Sequence, residues 1–224
     1  MFINGNNTPR IALIDLATFR TKSIIEIPNC AGNHSSPFMT PNSEYVISGT
    51  RFSVPMGTDA QRDVPIESYR ENFKGTVSFI HPEPETGRMS IAFQIITPGM
   101  NFDLSHAGKG PSDGWFFFSC YNSEQAYSLL EVNASQRDKD FIMAVNWKKA
   151  EEYAKAGKGR KVPGRHYSNL YSDETHSATS TVVEEVLQLD PRELTDLLYF
   201  MPCPKSPHGC DVDPTGEYIV GSGK

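Results

Sequence analysis

Two histidines precede two similar stretches of the chain at nearly the same offset. The stretches are residues 40–49, Thr-Pro-Asn-Ser-Glu-Tyr-Val-Ile-Ser-Gly, and residues 213–222, Asp-Pro-Thr-Gly-Glu-Tyr-Ile-Val-Gly-Ser. His34 stands seven residues before the proline of the first stretch, and His208 stands six before that of the second. Neutral imidazole is a ligand for copper, zinc, iron and nickel. The pair therefore predicts a metal site, and the alternative is two histidines that hydrogen-bond to backbone.

A second group of side chains offers oxygen atoms. Residues 121–124 read Tyr-Asn-Ser-Glu, and Asp138 and Asp140 follow. Oxygen donors of this kind suit a hard cation such as calcium. The EF-hand loop pattern is absent, so the alternative is a strand-end turn whose acidic side chains are solvated.

The remaining histidines carry weaker signals. His106 stands before a looser copy of the repeat, residues 110–119, in a stretch that reads as a mobile loop. His81 is expected to end a strand. His166 and His176 lie in a polar stretch that either folds over a site or lies in solvent.

The four cysteines are Cys30, Cys120, Cys203 and Cys210, and no two of them form a Cys-x-x-Cys pair. That spacing argues against zinc-ribbon and thioredoxin sites. We expect free and mostly buried thiols, which pack as small hydrophobic groups.

The elements that must position these residues are mainly β-strands. Apolar runs separated by turns rich in proline, glycine and asparagine predict them along most of the chain. The predicted strands are residues 11–16, 23–27, 44–48, 75–80, 89–96, 115–120, 141–146, 181–189, 197–201 and 218–221. One helix is predicted from Trp147 to about Ala156, with Asn146 as its N-cap and Gly157 as its C-terminal stop.

The composition excludes several classes of protein. The 224 residues are 38% hydrophobic, which is enough for a folded core. The net charge is −6, which disfavours a general nucleic-acid binder. No apolar run is long enough to span a membrane, and the N-terminus lacks the pattern of a secretory signal. Both ends lie in apolar, strand-like sequence, so we expect a piece of a longer protein.

Short strands that recur behind proline-led turns indicate an all-β fold, namely part of a β-propeller of several blades with one short helical insertion. The alternative is that such turns recur by chance in a β protein. In a propeller, equivalent positions of different blades surround one axis. We therefore expect His34 and His208 to converge from different blades.

Four stretches, in this order, resemble nitrous-oxide reductases, in particular the divergent lineage called clade II. They are Ile-Glu-Ile-Pro-Asn at 25–29 leading to His34, Cys-Tyr-Asn-Ser-Glu at 120–124, Val-Asn at 145–146, and Lys-Ser-Pro-His-Gly at 205–209. The resemblance covers essentially the whole chain, with insertions. It implies that residues 1–224 are part of the N-terminal propeller domain and that the C-terminal cupredoxin domain is absent from this chain.

The resemblance implies an enzyme of denitrification that reduces nitrous oxide to dinitrogen and water with two electrons and two protons. The propeller would hold a tetranuclear copper–sulfide cluster bound by histidines, and the cupredoxin domain would hold a dinuclear copper centre. A cytochrome c or a cupredoxin would donate the electrons. The intact protein would be a periplasmic homodimer, without a membrane span or a nucleic-acid partner. The present chain alone is expected to be inactive, because two histidines cannot hold the cluster.

Residue by residue, His34 and His208 match cluster ligands of the family. Tyr121 and Glu124 match calcium ligands, and we favour Asp138 over Asp140 as a further one. Where the family has asparagine two residues before the second histidine, this chain has a serine, whose hydroxyl is a weaker oxygen donor.

Two other functions compete with this interpretation. A propeller that serves as a non-catalytic binding scaffold would bind no metal and would tolerate alanine at His34 and His208. A lactonase-like hydrolase with an axial calcium ion would need several inward Asp, Glu or Asn residues at the repeats. The repeats carry histidine instead, which argues against the hydrolase.

Overall fold

A computed structural model describes residues 1–6, 8–34, 37–56, 64–126, 140–167, 180–204 and 206–223. The strands in these ranges are β1 (Phe2–Asn4), β2 (Arg10–Asp15), β3 (Arg20–Glu26), β4 (Phe38–Met39), β5 (Val46–Gly49), β6 (Val54–Pro55), β7 (Phe73–Glu83), β8 (Arg88–Pro98), β9 (Asn101–Ala107), β10 (Trp115–Tyr121), β11 (Asp140–Asn146), β12 (Arg160–Pro163), β13 (Ser180–Thr181), β14 (Glu185–Leu189), β15 (Leu198–Cys203), β16 (Gly209–Val212) and β17 (Ile219–Ser222). The helices are α1 (Tyr69–Asn72) and α2 (Trp147–Lys155), with 3-10 turns at Ile66–Ser68 and Gly110–Ser112.

The strands form four sheets, which pair mainly antiparallel. Their strand orders are β1-β2-β3-β13, then β12-β14-β8-β7-β5-β4 with β6 on β7, then β15-β11-β10-β9, and the hairpin β16-β17. The predicted all-β class is confirmed, and the arrangement is consistent with part of a β-propeller. Among the described residues the sheets do not close into a ring.

The main core lies between the sheet of β7 and β8 and the sheet of β9, β10 and β11. Phe79 and Phe93 stack there with ring centroids 4.3 Å apart, and Tyr45 meets both rings edge-on. Helix α2 packs against this core through Trp147 and Ala150, which are buried. The core therefore joins the two sheets from which the candidate site is built.

The predicted helix is confirmed. The side chain of Asn146 accepts a hydrogen bond from the backbone N of Lys149 at 3.1 Å, as an N-cap does. Gly157 follows the last turn with φ +68°, a left-handed conformation that glycine adopts without a steric penalty.

The two copies of the repeat form the same turn. In the first, Ser43 N donates to Thr40 O at 2.9 Å, and in the second Gly216 N donates to Asp213 O at 3.0 Å. Ser43 and Gly216 both have positive φ, at +65° and +78°. Each turn also closes through a backbone hydrogen bond from its first residue to the carbonyl of the repeated tyrosine, at 2.9 and 3.0 Å. The sequence similarity therefore reflects similar local structure.

Two expectations about elements were wrong. The stretch around His106 is not a loop, because it forms β9 and pairs with β10. The predicted strand 181–189 is interrupted, so that only Ser180–Thr181 and Glu185–Leu189 are strands. The predicted free cysteines are confirmed, and Cys30, Cys120 and Cys210 are buried. No helix among the described residues is long and apolar enough to cross a membrane.

Candidate metal centre

His34 follows a loop that is held from several sides. Asn33 is buried, and its backbone N donates to Gly5 O at 3.2 Å. The side chain of Asn33 accepts a hydrogen bond from Ser48 Oγ, and its carbonyl accepts one from Asn4 Nδ2. These bonds join the residue before His34 to the first strand and to β5, and they limit where the imidazole can go.

Gly32 permits this loop to pass between its neighbours. Its φ is +132°, a conformation that other residues rarely adopt. A Cβ at this position would lie 2.6 Å from Asn6 O and 2.8 Å from Phe52 Cδ2. The loop that carries His34 therefore requires glycine here.

His208 is held through its backbone at the start of the last hairpin. Its N donates to Ser222 O at 2.9 Å, and its carbonyl accepts from Ser119 Oγ at 3.1 Å. Ser119 lies in β10, so this hydrogen bond connects the hairpin to the sheet that contains β9 and β10. The imidazole itself is more open, with 57% of the side chain exposed.

The two histidines meet at one carboxylate. Nδ1 of His34 lies 2.5 Å from Oδ1 of Asp103, and Nε2 of His208 lies 4.0 Å from Oδ2 of the same residue. Asp103 is buried in β9. The structure thus brings together, from distant parts of the chain, the two histidines that the repeat singled out. Their role as metal ligands stays a prediction.

A guanidinium stands beside this carboxylate. Nη1 of Arg51 lies 3.7 Å from Oδ1 of Asp103, and it donates to the carbonyl of Phe102 at 3.5 Å. The same guanidinium lies over the ring of Tyr121, 4.8 Å from its centroid. One cation therefore contacts both the carboxylate between the histidines and a predicted calcium ligand.

One of the predicted calcium ligands, Tyr121, lies next to this group. Burial raises the pKa of the Tyr121 phenol, although the Arg51 cation opposes the shift. Glu124 is half-buried, with its Oε1 enclosed. Asp138 lies outside the described residues. Tyr121 is the last residue of β10 and Glu124 lies in the turn that follows, and their binding of calcium remains a prediction.

Asp140 is fully buried, and its carboxylate accepts hydrogen bonds from backbone amides. Its carboxylate accepts from Ser206 N at 2.7 Å and from Ser123 N at 3.4 Å. It therefore links the turn after β10 to the loop that leads to His208. Ser206, at the position where the resemblance implies an asparagine, takes part through its backbone and has φ +48°.

The other described histidines lie elsewhere. His106 contacts Asp211, with 3.6 Å between Nε2 and Oδ1. His81 Nδ1 lies 3.1 Å from Glu44 O, and His166 lies between the buried Glu26 and a backbone carbonyl. None of these distances joins them to the pair formed by His34 and His208. His176 lies outside the described residues.

The chemistry of the donor set fits part of a histidine-bound metal site. Metal-binding histidines commonly hold one ring nitrogen against a carboxylate, which leaves the other nitrogen for the metal. His34 is placed for such an arrangement, because its buried Nδ1 is in close contact with Asp103. In the described part of the chain, no group of three or more His, Cys, Asp or Glu residues could hold a metal ion. The pair can therefore supply only some of the ligands of a cluster.

Sequence reasoning missed Asp103 and Arg51. The run from Asn101 to Ser105 places a polar residue at every second position, which is the period of a strand with one polar face. That pattern could have revealed β9 and its inward carboxylate. No local pattern marks Arg51, because its partners lie on other strands.

The chain is similar to two curated proteins. It is 27% identical over 232 residues to a nitrous-oxide reductase of Pseudomonas fluorescens and 26% identical over 227 residues to one of Stutzerimonas stutzeri. Each match covers 100% of this chain, which spans 31% of the length of those relatives. No family model matches the chain. The predicted resemblance to nitrous-oxide reductases is thereby confirmed over the whole length of the chain.

Proposed function

We propose that this chain is part of an enzyme that reduces nitrous oxide to dinitrogen and water. Residues 1–224 would form part of its N-terminal β-propeller domain, and a cupredoxin domain would lie elsewhere in the protein. The observation that supports this proposal best is that His34 and His208, which we predict to be cluster ligands, lie 2.5 and 4.0 Å from one buried carboxylate. The similarity to two nitrous-oxide reductases supports the same reaction.

In this proposal His34 and His208 are two of the histidines that hold a tetranuclear copper–sulfide cluster. The cluster, when bound, supplies a soft, electron-rich site that can transfer two electrons to an inert substrate. The protein supplies the geometry. Asp103 faces Nδ1 of His34 and so directs the opposite ring nitrogen outward. The buried position of Asp103 keeps water from competing for this carboxylate.

The proposal also includes a calcium ion bound at the end of β10 and the turn that follows it. Tyr121 and Glu124 would supply oxygen ligands, with Asp138 as a third. The hydrogen bonds of Asp140 hold the turn at residues 121–124 near the loop of His208. An ion at this turn would therefore order the backbone on which His208 depends.

The remaining parts of the proposal concern the intact protein. Its electron donor would be a cytochrome c or a cupredoxin, which would deliver electrons through a dinuclear copper centre in the cupredoxin domain. The protein would be a homodimer in the periplasm.

The test uses the full-length protein with His34→Ala and His208→Ala, each made separately. We expect each variant to lose bound copper, measured by atomic absorption, and to lose nitrous-oxide consumption with a reduced viologen donor, measured by gas chromatography. His81→Ala is the matched control, because His81 contacts the backbone of Glu44 away from the pair. It should retain both properties.

Unchanged copper content in both histidine variants would contradict the proposed ligand roles. A wild-type protein that binds no copper and consumes no nitrous oxide would instead indicate a non-catalytic propeller scaffold.

A further inference from the structure

Arg51 lies at a junction of three segments that carry predicted site residues. Its backbone N donates to Gly32 O at 2.9 Å, which connects it to the loop of His34. Its side chain is 20% exposed and points toward β9 and β10. Arg51 lies two residues after the end of β5. Through these contacts it joins the His34 loop, the strand of Asp103 and the strand of Tyr121.

The guanidinium limits the positions available to Asp103. Its Nη1 lies 3.7 Å from Oδ1 of Asp103 and donates to the adjacent Phe102 carbonyl at 3.5 Å. Opposite charges at this distance attract, and the attraction is strengthened by partial burial. The carboxylate is thus held from one side by Arg51 while the two imidazoles approach it.

Aromatic rings hold the guanidinium in turn. Its Cζ lies 4.8 Å from the ring centroid of Tyr121 and 5.7 Å from that of Phe52. Both distances are within the range of a cation–π interaction. A flat guanidinium can stack on a ring and donate hydrogen bonds at the same time, which a lysine ammonium cannot do.

We infer that Arg51 is a positioning residue that holds Asp103 between His34 and His208 and couples this pair to the Tyr121 side of the site. The inference rests on the proposed function, because it assumes that the two imidazoles bind copper. Without Arg51, the Asp103 carboxylate would lose its cationic partner, and the imidazoles would face a less firmly held carboxylate. Tyr121 would lose the group that packs against its ring.

The first experiment compares Arg51→Gln, Arg51→Lys and wild type in the full-length, copper-loaded protein. Copper retention is titrated with a Cu(I)-selective chelator, and the visible absorption spectrum of the loaded protein is recorded. We expect about tenfold weaker copper retention in Arg51→Gln, as for loss of other groups that orient metal ligands, together with a shifted spectrum. Arg51→Lys should recover part of the loss, because it restores the charge but not the stacked fork.

Arg20→Gln is the matched control, since it removes an exposed guanidinium from β3. It should match wild type in both measurements. Thermal unfolding of the metal-free proteins separates positioning from folding. A variant that merely folds less well would lower the unfolding midpoint without changing the spectrum of the copper that it retains.

A double-mutant cycle tests the coupling to Tyr121. Tyr121→Leu removes the ring and Tyr121→Phe keeps it. We expect the losses in copper affinity of Arg51→Gln and Tyr121→Leu to be less than additive, because each removes the same contact. The losses of Arg51→Gln and Tyr121→Phe should add.

The possible failures are distinguishable. A wild-type protein that binds no copper overturns the proposed function. Wild-type copper retention and spectrum in both Arg51 variants, with copper bound normally by wild type, overturn the inference alone. Additive losses with Tyr121→Leu overturn the coupling to the Tyr121 side.

Discussion

At the scale of single residues, the centre of the site is a carboxylate. Asp103 is buried, faces both predicted copper ligands and has Arg51 as its cationic neighbour. A charge-assisted contact to an ionised carboxylate is stronger than one to a neutral amide. The charge of Asp103 should therefore matter more than its shape.

Asp103→Asn tests this difference, because it keeps the shape and removes the charge. We expect copper affinity of the full-length protein to fall about 10–100-fold, measured by competition with a Cu(I) chelator. Asp113→Asn, at an exposed acid paired with Lys148, is the control and should bind copper like wild type. Equal affinity in Asp103→Asn and wild type would show that the carboxylate does not orient the imidazoles.

At the scale of elements, the last hairpin depends on an acidic side chain in its turn. Asp213 accepts hydrogen bonds from Thr215 Oγ1 at 2.7 Å, from Tyr218 N at 2.9 Å and from Thr215 N at 3.0 Å. These bonds lower the pKa of Asp213 from 3.8 to about 2. The lowered pKa means that the ionised side chain stabilises the turn that leads into β17.

This contribution has a defined pH dependence. Because the pKa is lower in the folded state, the stabilisation is present above pH 3.8 and is lost as the pH falls through about 2. We expect the difference in thermal unfolding midpoint between wild type and Asp213→Asn to be largest above pH 4 and to shrink toward pH 2. A difference that stays constant over this range would contradict the assignment.

At the scale of the whole molecule, His34 and His208 lie at one carboxylate, and none of the other histidines in the described part of the chain is recorded in contact with this pair. A cluster bound by several histidines therefore needs ligands from other parts of a propeller. We expect residues 1–224, produced alone, to bind far less copper per chain than the full-length protein and to consume no nitrous oxide. Full copper loading of the isolated chain would contradict this expectation.

Much of the fold could be predicted because its signals are local. The cap at Asn146 and the left-handed Gly157 mark the helix within a few residues. Strand β9 was missed because its alternating positions carry polar rather than apolar residues, although pairing with β10 leaves Asn101 and Asp103 buried. The interruption of 181–189 was also missed, because its two strands pair with different sheets.

The sequence by itself determined the chemistry available, namely two imidazoles that precede the repeated turns, and a tyrosine and a glutamate whose oxygen atoms could bind a cation. It also determined the turns, since the hydrogen bonds at Thr40 and Asp213 close within six residues. Only the tertiary structure decided that Asp103 stands between His34 and His208 and that Arg51 stands beside it. Contacts between distant segments depend on how the sheets pack, and no local pattern encodes that packing.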